Sequence, residues 1–102
     1  MKIIKKLAEM IEEELEDAEK YAKCALKYKD DNPTLSKTFH ELAEQEMTHA
    51  DMLHGEATGL IIEHRREHGD PPDAMLAVWE YMHERHIEKA NAVRMLLGQI
   101  RG

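Results

Sequence analysis

The stretch that decides the fold is residues 33–69, which read PTLSKTFHELAEQEMTHADMLHGEATGLIIEHRREHG. Asn32 is a good helix N-cap, and a proline such as Pro33 fits the first helical position. Gly69 is placed to end the helix. Apolar side chains recur in between at the spacing of a helix with one buried face: Leu35, Phe39, Leu42, Leu53, Ala57 and Leu60. This pattern predicts one long helix over residues 34–68.

The segments on either side carry the same periodicity. The first is separated from the central helix by Asp30-Asp31-Asn32-Pro33 and the second by Gly69-Asp70-Pro71-Pro72. The apolar stripes are Ile4, Leu7, Ile11, Ala18, Tyr21, Ala22 and Ala25 in the first, and Met75, Trp79, Met82, Ala90, Val93, Leu97 and Ile100 in the second. We therefore predict an all-α protein with helices at about 3–29, 34–68 and 72–100, forming one domain over residues 1–102.

Charge and composition narrow the classes of function. The chain of 102 residues has a net charge of -7, which argues against nucleic acid or an anionic membrane as a partner. It contains no apolar run near the roughly 20 residues that a membrane span needs. Its single cysteine cannot form an internal disulfide, so a reducing cytoplasm is the expected compartment. A chain this short has a modest core, and we expect it to self-associate.

Two polar residues of the central helix lie within its apolar stripe. With about 100° per residue, Glu46 and His49 fall within about 40° of the direction set by Leu35, one to either side. Their spacing, Glu-x-x-His, places the two side chains on neighbouring turns of one face. The first helix repeats the feature, because Glu14 stands in its stripe between Ile11 and Ala18.

Buried, unpaired carboxylates cost several kcal/mol each, which is a large share of the roughly 5–15 kcal/mol that stabilises a domain. A divalent metal compensates directly, because it keeps the carboxylates ionised and accepts an imidazole nitrogen. Carboxylates with imidazole and no thiolate suit iron or manganese, and zinc also fits. The alternatives are that Glu46 and His49 form a hydrogen-bonded pair without metal, or lie at an exposed rim.

These residues resemble the ferritin-like di-iron superfamily. In such proteins one helix gives a Glu and the next gives Glu-x-x-His, as Glu14, Glu46 and His49 do here. Tyr21 follows Glu14 by seven residues, as a tyrosine follows the first ligand in rubrerythrins. The stretch is also similar to encapsulated ferritins, short chains that complete a four-helix bundle by dimerisation. The resemblance covers roughly residues 7–60.

The resemblance implies a di-iron cofactor at the interface of a homodimer or larger homo-oligomer. One chain would supply half a site, Glu14, Glu46 and His49, and two chains would supply four carboxylates and two imidazoles. Such a centre would act as an oxidoreductase of the ferroxidase type, oxidising Fe(II) with oxygen or peroxide. Tyr21 could hydrogen-bond a ligand carboxylate. The end of the chain, Leu97 to Gly102, resembles the tails that direct cargo into encapsulin shells.

The third helix departs from a minimal half-bundle. Its His86 lies at the centre of the apolar stripe and could be an extra ligand, a group hydrogen-bonded to a ligand, or a satisfied core histidine. The helix could also cover the dimer face, and then no di-iron site would form. His54 lies off the centre of its stripe and is expected at the surface. The competing function is a helical scaffold or interaction protein that keeps the bundle without iron chemistry.

Overall fold

The computed structural model describes residues 2–101, with the backbone alone for Arg101, and contains three helices. They are α1 (Lys2–Lys27), α2 (Pro33–His68) and α3 (Asp73–Arg101). Each bound falls within two residues of the predicted one. No strand occurs within residues 2–101, so the prediction of an all-α fold is confirmed.

Local hydrogen bonds hold the turn between α1 and α2. The side-chain oxygen of Asn32 accepts from the backbone N–H of Leu35 at 3.2 Å, as an N-cap does. Just inside α2, the buried hydroxyl of Ser36 donates to the carbonyl of Ala25 in the last turns of α1. At the other end of α2, Gly69 takes a φ of 80° and its N–H donates to the carbonyl of Arg65. These contacts fix where α2 starts and stops.

Small residues let the three helices approach closely. Ala18 and Ala22 of α1, Ala43 of α2 and Val93 of α3 have no exposed surface and form one cluster with Leu97. Two further clusters continue the core along α1. Their buried members are Ile11, Leu15 and Ala50 in one, and Ile4, Leu7, Ala57 and Ile61 in the other. The buried residues therefore form a narrow core along the length of a molecule that measures 55 × 19 × 18 Å.

Charge pairs show which side of α1 the third helix covers. Arg85 of α3 pairs with Glu12, and Lys89 lies 3.8 Å from Glu16. Both acids are two residues from Glu14, which puts them about 160° around the helix from it. Helix α3 packs mainly on α1 and only marginally on α2. It therefore leaves the Glu14 side of the hairpin open.

None of the helices within residues 2–101 combines the length and the apolar character needed to cross a membrane.

Candidate metal centre

Three side chains from two helices meet on the open side of the hairpin. Each of Glu14, Glu46 and His49 offers one ligand atom, and the three atoms lie within 4.8 Å of one another. Nδ1 of His49 is 3.5 Å from Oε2 of Glu14 and 3.7 Å from Oε1 of Glu46. The i,i+3 spacing on α2 sets the last two side by side, and the antiparallel packing of α1 brings Glu14 opposite them. The structure thus brings together the three residues that the sequence singled out.

Burial differs across the three ligands and shows which way the site opens. The side chains of Glu46 and Glu14 are 19% and 28% exposed, whereas that of His49 is 52% exposed. The carboxylates therefore lie deeper, and the imidazole stands at the rim facing solvent. The opening lies on the face of the hairpin that α3 does not cover.

One buried carboxylate oxygen of the site lacks a hydrogen bond within the described residues. Oε2 of Glu14 is buried and accepts no hydrogen bond from any described residue. Its contact with His49 is long for a hydrogen bond, since charge-assisted N–H···O bonds are typically about 2.7–2.9 Å. A buried oxygen left in this state is destabilising unless a cation or a proton satisfies it. The residues present fit a divalent cation for this reason.

The pKa of Glu46 is raised to about 7 because its carboxyl group is partly buried beside that of Glu14. The first cause is the hydrogen bond that a protonated Glu46 makes with Glu14; burial and the negative charge of Glu14 add to it. His49 opposes the shift. Two carboxyl groups this close share a proton readily, and a metal ion would replace that proton.

Tyr21 lies two turns beyond Glu14 on α1 and packs against aromatic side chains. Its ring stacks on Phe39 with the centroids 6.2 Å apart, and Phe39 stacks in turn on Tyr28 at 6.2 Å. Among residues 2–101, no hydrogen bond joins Tyr21 to Glu14 or Glu46. The proposed hydrogen bond from Tyr21 to a ligand therefore stays a prediction.

His86 is buried away from the three ligands, beside the opposite side of α1. It is 5% exposed, and neither ring nitrogen makes a hydrogen bond within the described chain. Burial lowers its pKa, while Glu12 and the backbone of Ala8 oppose the shift, although Ala8 falls short of hydrogen-bond geometry. The structure does not bring His86 to the Glu14–Glu46–His49 group.

His54 lies half-buried against α3, whereas the sequence placed it at the surface. Its ring stacks on His83 of α3 with centroids 4.8 Å apart and on Trp79 at 6.0 Å, and burial lowers its pKa. The sequence signal was available on α3, where Trp79 and His83 are four residues apart and so share a face. What the sequence did not show is that α3 reaches the edge of α2 at this point.

A comparison with protein families decides the identity. The family model described as Rubrerythrin matches residues 5–90, most of the chain and all three candidate ligands. The chain belongs to the rubrerythrin family. It therefore lies within the ferritin-like di-iron superfamily, and the predicted fold class is confirmed. No curated protein and no solved structure matches the chain.

Membership of the rubrerythrin family bears on the role of Glu14, Glu46 and His49. The rubrerythrin family supports metal binding of the ferritin-like di-iron type, and this chain has a candidate Glu and His site for it. Tyr21 and His86 also lie within the matched stretch.

Proposed function

We propose that this rubrerythrin-family protein binds iron through Glu14, Glu46 and His49, and that two copies together form a di-iron centre that oxidises Fe(II). The observation that carries the proposal is that three ligand atoms lie within 4.8 Å of one another, and that one oxygen of Glu14 is buried there without a hydrogen bond from any described residue. Manganese or zinc would satisfy the same donors, and the experiment below separates the metals.

Completion by a second copy is supported by what one chain lacks. Three protein donors leave a metal under-coordinated, whereas two copies would supply the four carboxylates and two imidazoles of a di-iron centre. The same face of α2 carries the half-buried Phe39, Leu42 and Leu53 at helical spacing around Glu46. A two-fold partner would cover these apolar side chains and exclude water from the ligands.

Each ligand has a distinct part in this proposal. Glu14 and Glu46 would hold the ions through carboxylate oxygens, and His49 would hold them through an imidazole nitrogen. Bound iron would supply the Fe(II)/Fe(III) couple for the reduction of oxygen or peroxide. Glu46 would release its proton when metal binds. The free thiol of Cys24 is consistent with the cytoplasm as the proposed compartment.

The test is an anaerobic titration of metal-free protein with Fe(II), followed by admission of oxygen. We expect about one iron per chain, a dimer or larger assembly by light scattering, and ferric absorbance after oxygen is admitted. Glu46→Gln and His49→Ala should each lose stoichiometric binding. Glu41→Gln and His68→Ala change the same residue types at exposed positions of α2 and should bind as wild type does.

Iron binding by the ligand variants at wild-type strength would overturn the proposal. Parallel titrations with Mn(II) and Zn(II) identify the metal. A site that binds zinc tightly, and shows no oxygen-dependent change with iron, would indicate an ion that only joins two chains.

A scaffold without iron chemistry is the second candidate, and one observation favours it. His49 lies within 4 Å of both carboxylates, so a protonated imidazole could balance part of their charge with no metal. This alternative predicts protein that purifies without stoichiometric metal and melts at the same temperature with and without EDTA. Elemental analysis and the paired melting curves separate the two functions.

Packaging in an encapsulin shell is a further partner proposal. Leu97 is only 8% exposed in the core and α3 continues to Arg101, while Gly102 lies outside the described residues. The tail would have to leave the helix to reach a shell. Co-expression with a shell protein, followed by co-purification, tests it.

A further inference from the structure

The contact between α1 and α3 is charge-matched at one end and unmatched at the other. The two helices run parallel, since Glu12 pairs with Arg85 and Glu16 with Lys89 four residues further along each helix. Towards the beginning of both helices, α1 presents Lys2 and Lys5 on this side. Neither lysine has an ion pair with any residue in the described part of the chain.

A cavity of about 360 Å³ lies between the helices at this unmatched end. Its walls are almost entirely apolar, and its charged lining residues, all from α1, are solvent-exposed and so form its rim. Its lining includes Lys2, Lys5, Glu9, Val78 and Trp79. The volume falls in the range of small-molecule sites, about 300–1,000 Å³.

We propose that this cavity binds a straight-chain carboxylate, with the hydrocarbon tail against Trp79 and the carboxylate at Lys2 and Lys5. The apolar walls suit a hydrocarbon tail. Lys2 and Lys5, which have no ion pair within the described chain, suit a negatively charged head group at the mouth. Glu9 lies on the same rim and offsets part of the positive charge. The site is separate from the Glu14–Glu46–His49 centre and does not depend on metal.

The lone tryptophan of the chain provides the readout, because Trp79 lines the cavity. Decanoate added to the 102-residue chain in EDTA should shift the Trp79 emission in a saturable way with one site per chain. Affinity should rise about fourfold for each methylene from hexanoate to decanoate, the increment expected for burying a CH₂ group. Decanol and decyltrimethylammonium have the tail without the negative charge and should bind at least about fivefold more weakly.

Charge variants test the head-group assignment in both directions. Replacing both lysines, Lys2→Ala with Lys5→Ala, should weaken decanoate binding by about fivefold or more. Glu9→Gln should strengthen it. Lys6→Ala is the matched control, since Lys6 is an exposed lysine on the same turn that does not line the cavity, and it should leave the affinity unchanged.

A filling variant tests the location. Val78 is 55% exposed, so Val78→Phe can add bulk at the mouth with little effect on folding, which circular dichroism verifies. It should abolish the decanoate-dependent shift. Equal binding of decanol and decanoate, or no saturable shift below the concentration at which decanoate forms micelles, would overturn the proposal. A cavity closed by a second copy, seen as a Trp79 shift that depends on protein concentration alone, would also overturn it.

Discussion

Oε2 of Glu14 is buried 3.5 Å from Nδ1 of His49, and it accepts no hydrogen bond from any residue that the structure describes. The two residues come from different helices, 35 positions apart in the chain. Rotamer freedom in an exposed imidazole would ordinarily let His49 turn towards water, so the proximity reflects the packing of α1 on α2. The two residues form part of a candidate cation site. Its metal affinity and its contribution to the free energy of unfolding should both depend on pH.

Metal affinity should fall with acid below pH 7. The pKa of Glu46 is raised to about 7, so a cation binding below that pH must displace one proton. The apparent affinity should then drop up to about tenfold per pH unit, measured by Mn(II) or Fe(II) titration between pH 5.5 and 8. Glu46→Asp keeps a titrating carboxylate and should retain a pH dependence if it still binds. An affinity that is flat across pH 7 would contradict the assignment of Glu46 as the ligand that carries the proton.

The stability of the metal-free protein should depend on Glu46 with the opposite sign from an ordinary acid. Its folded pKa is raised from 4.5, so its contribution is present at low pH and is lost as the pH rises through about 7. The free energy of unfolding of wild type should therefore fall between pH 4.5 and pH 8, and that of Glu46→Gln should not. The difference between the two proteins should change by about 1–2 kcal/mol in favour of Glu46→Gln. Urea unfolding in EDTA at the two pH values measures the difference. Glu41→Gln, at an exposed site, should show no such change.

His86 should contribute in the reverse direction. Burial lowers its pKa from 6.5, so its contribution is present above pH 6.5 and is lost as acid charges the ring. His54 shares this behaviour because burial lowers its pKa as well. The variant His86→Leu should lose less stability than wild type between pH 7 and pH 5. The measurement is the free energy of unfolding at both values, with exposed His68→Ala as the control.

The same variant separates the roles considered for His86. Both ring nitrogens are buried without a hydrogen bond to any residue among 2–101, and replacing such a group with an apolar side chain of similar size can be neutral or stabilising. We expect His86→Leu to be as stable as wild type at pH 7, or more stable by about 1 kcal/mol, and to bind iron unchanged. Loss of iron binding without loss of fold would show that His86 is a ligand.

Close helix packing should make the small core residues intolerant of size. Ala22 has no exposed surface and lies in the cluster that joins all three helices, so Ala22→Leu should cost about 1–3 kcal/mol by overpacking. Ala92→Leu places the same change on the exposed side of α3 and should stay within about 0.5 kcal/mol of wild type. Chemical unfolding of both variants is the check. Equal effects would contradict the assignment of the Ala22 side as the line of closest approach.

Much of the fold could be read from local chemistry. Asn32 with Pro33, and Gly69 before two prolines, fix helix ends through interactions that span a few residues. Each residue of a helix turns about 100° from the one before, so the sequence alone shows which residues share the apolar face. Glu14, Glu46 and His49 were singled out in this way. The half-burial of His54 was missed because it comes from α3, and periodicity within one helix holds no information on a neighbouring helix.

The sequence by itself determined the three helices and the polar residues on their apolar faces, because hydrogen bonding and periodicity within a helix are short-range. Only the tertiary structure decided that α3 packs on the Glu12 side of α1, leaves the ligand side open and buries His86 away from it. That choice depends on interhelical packing and on charge pairs such as Arg85 with Glu12, which join residues 73 positions apart.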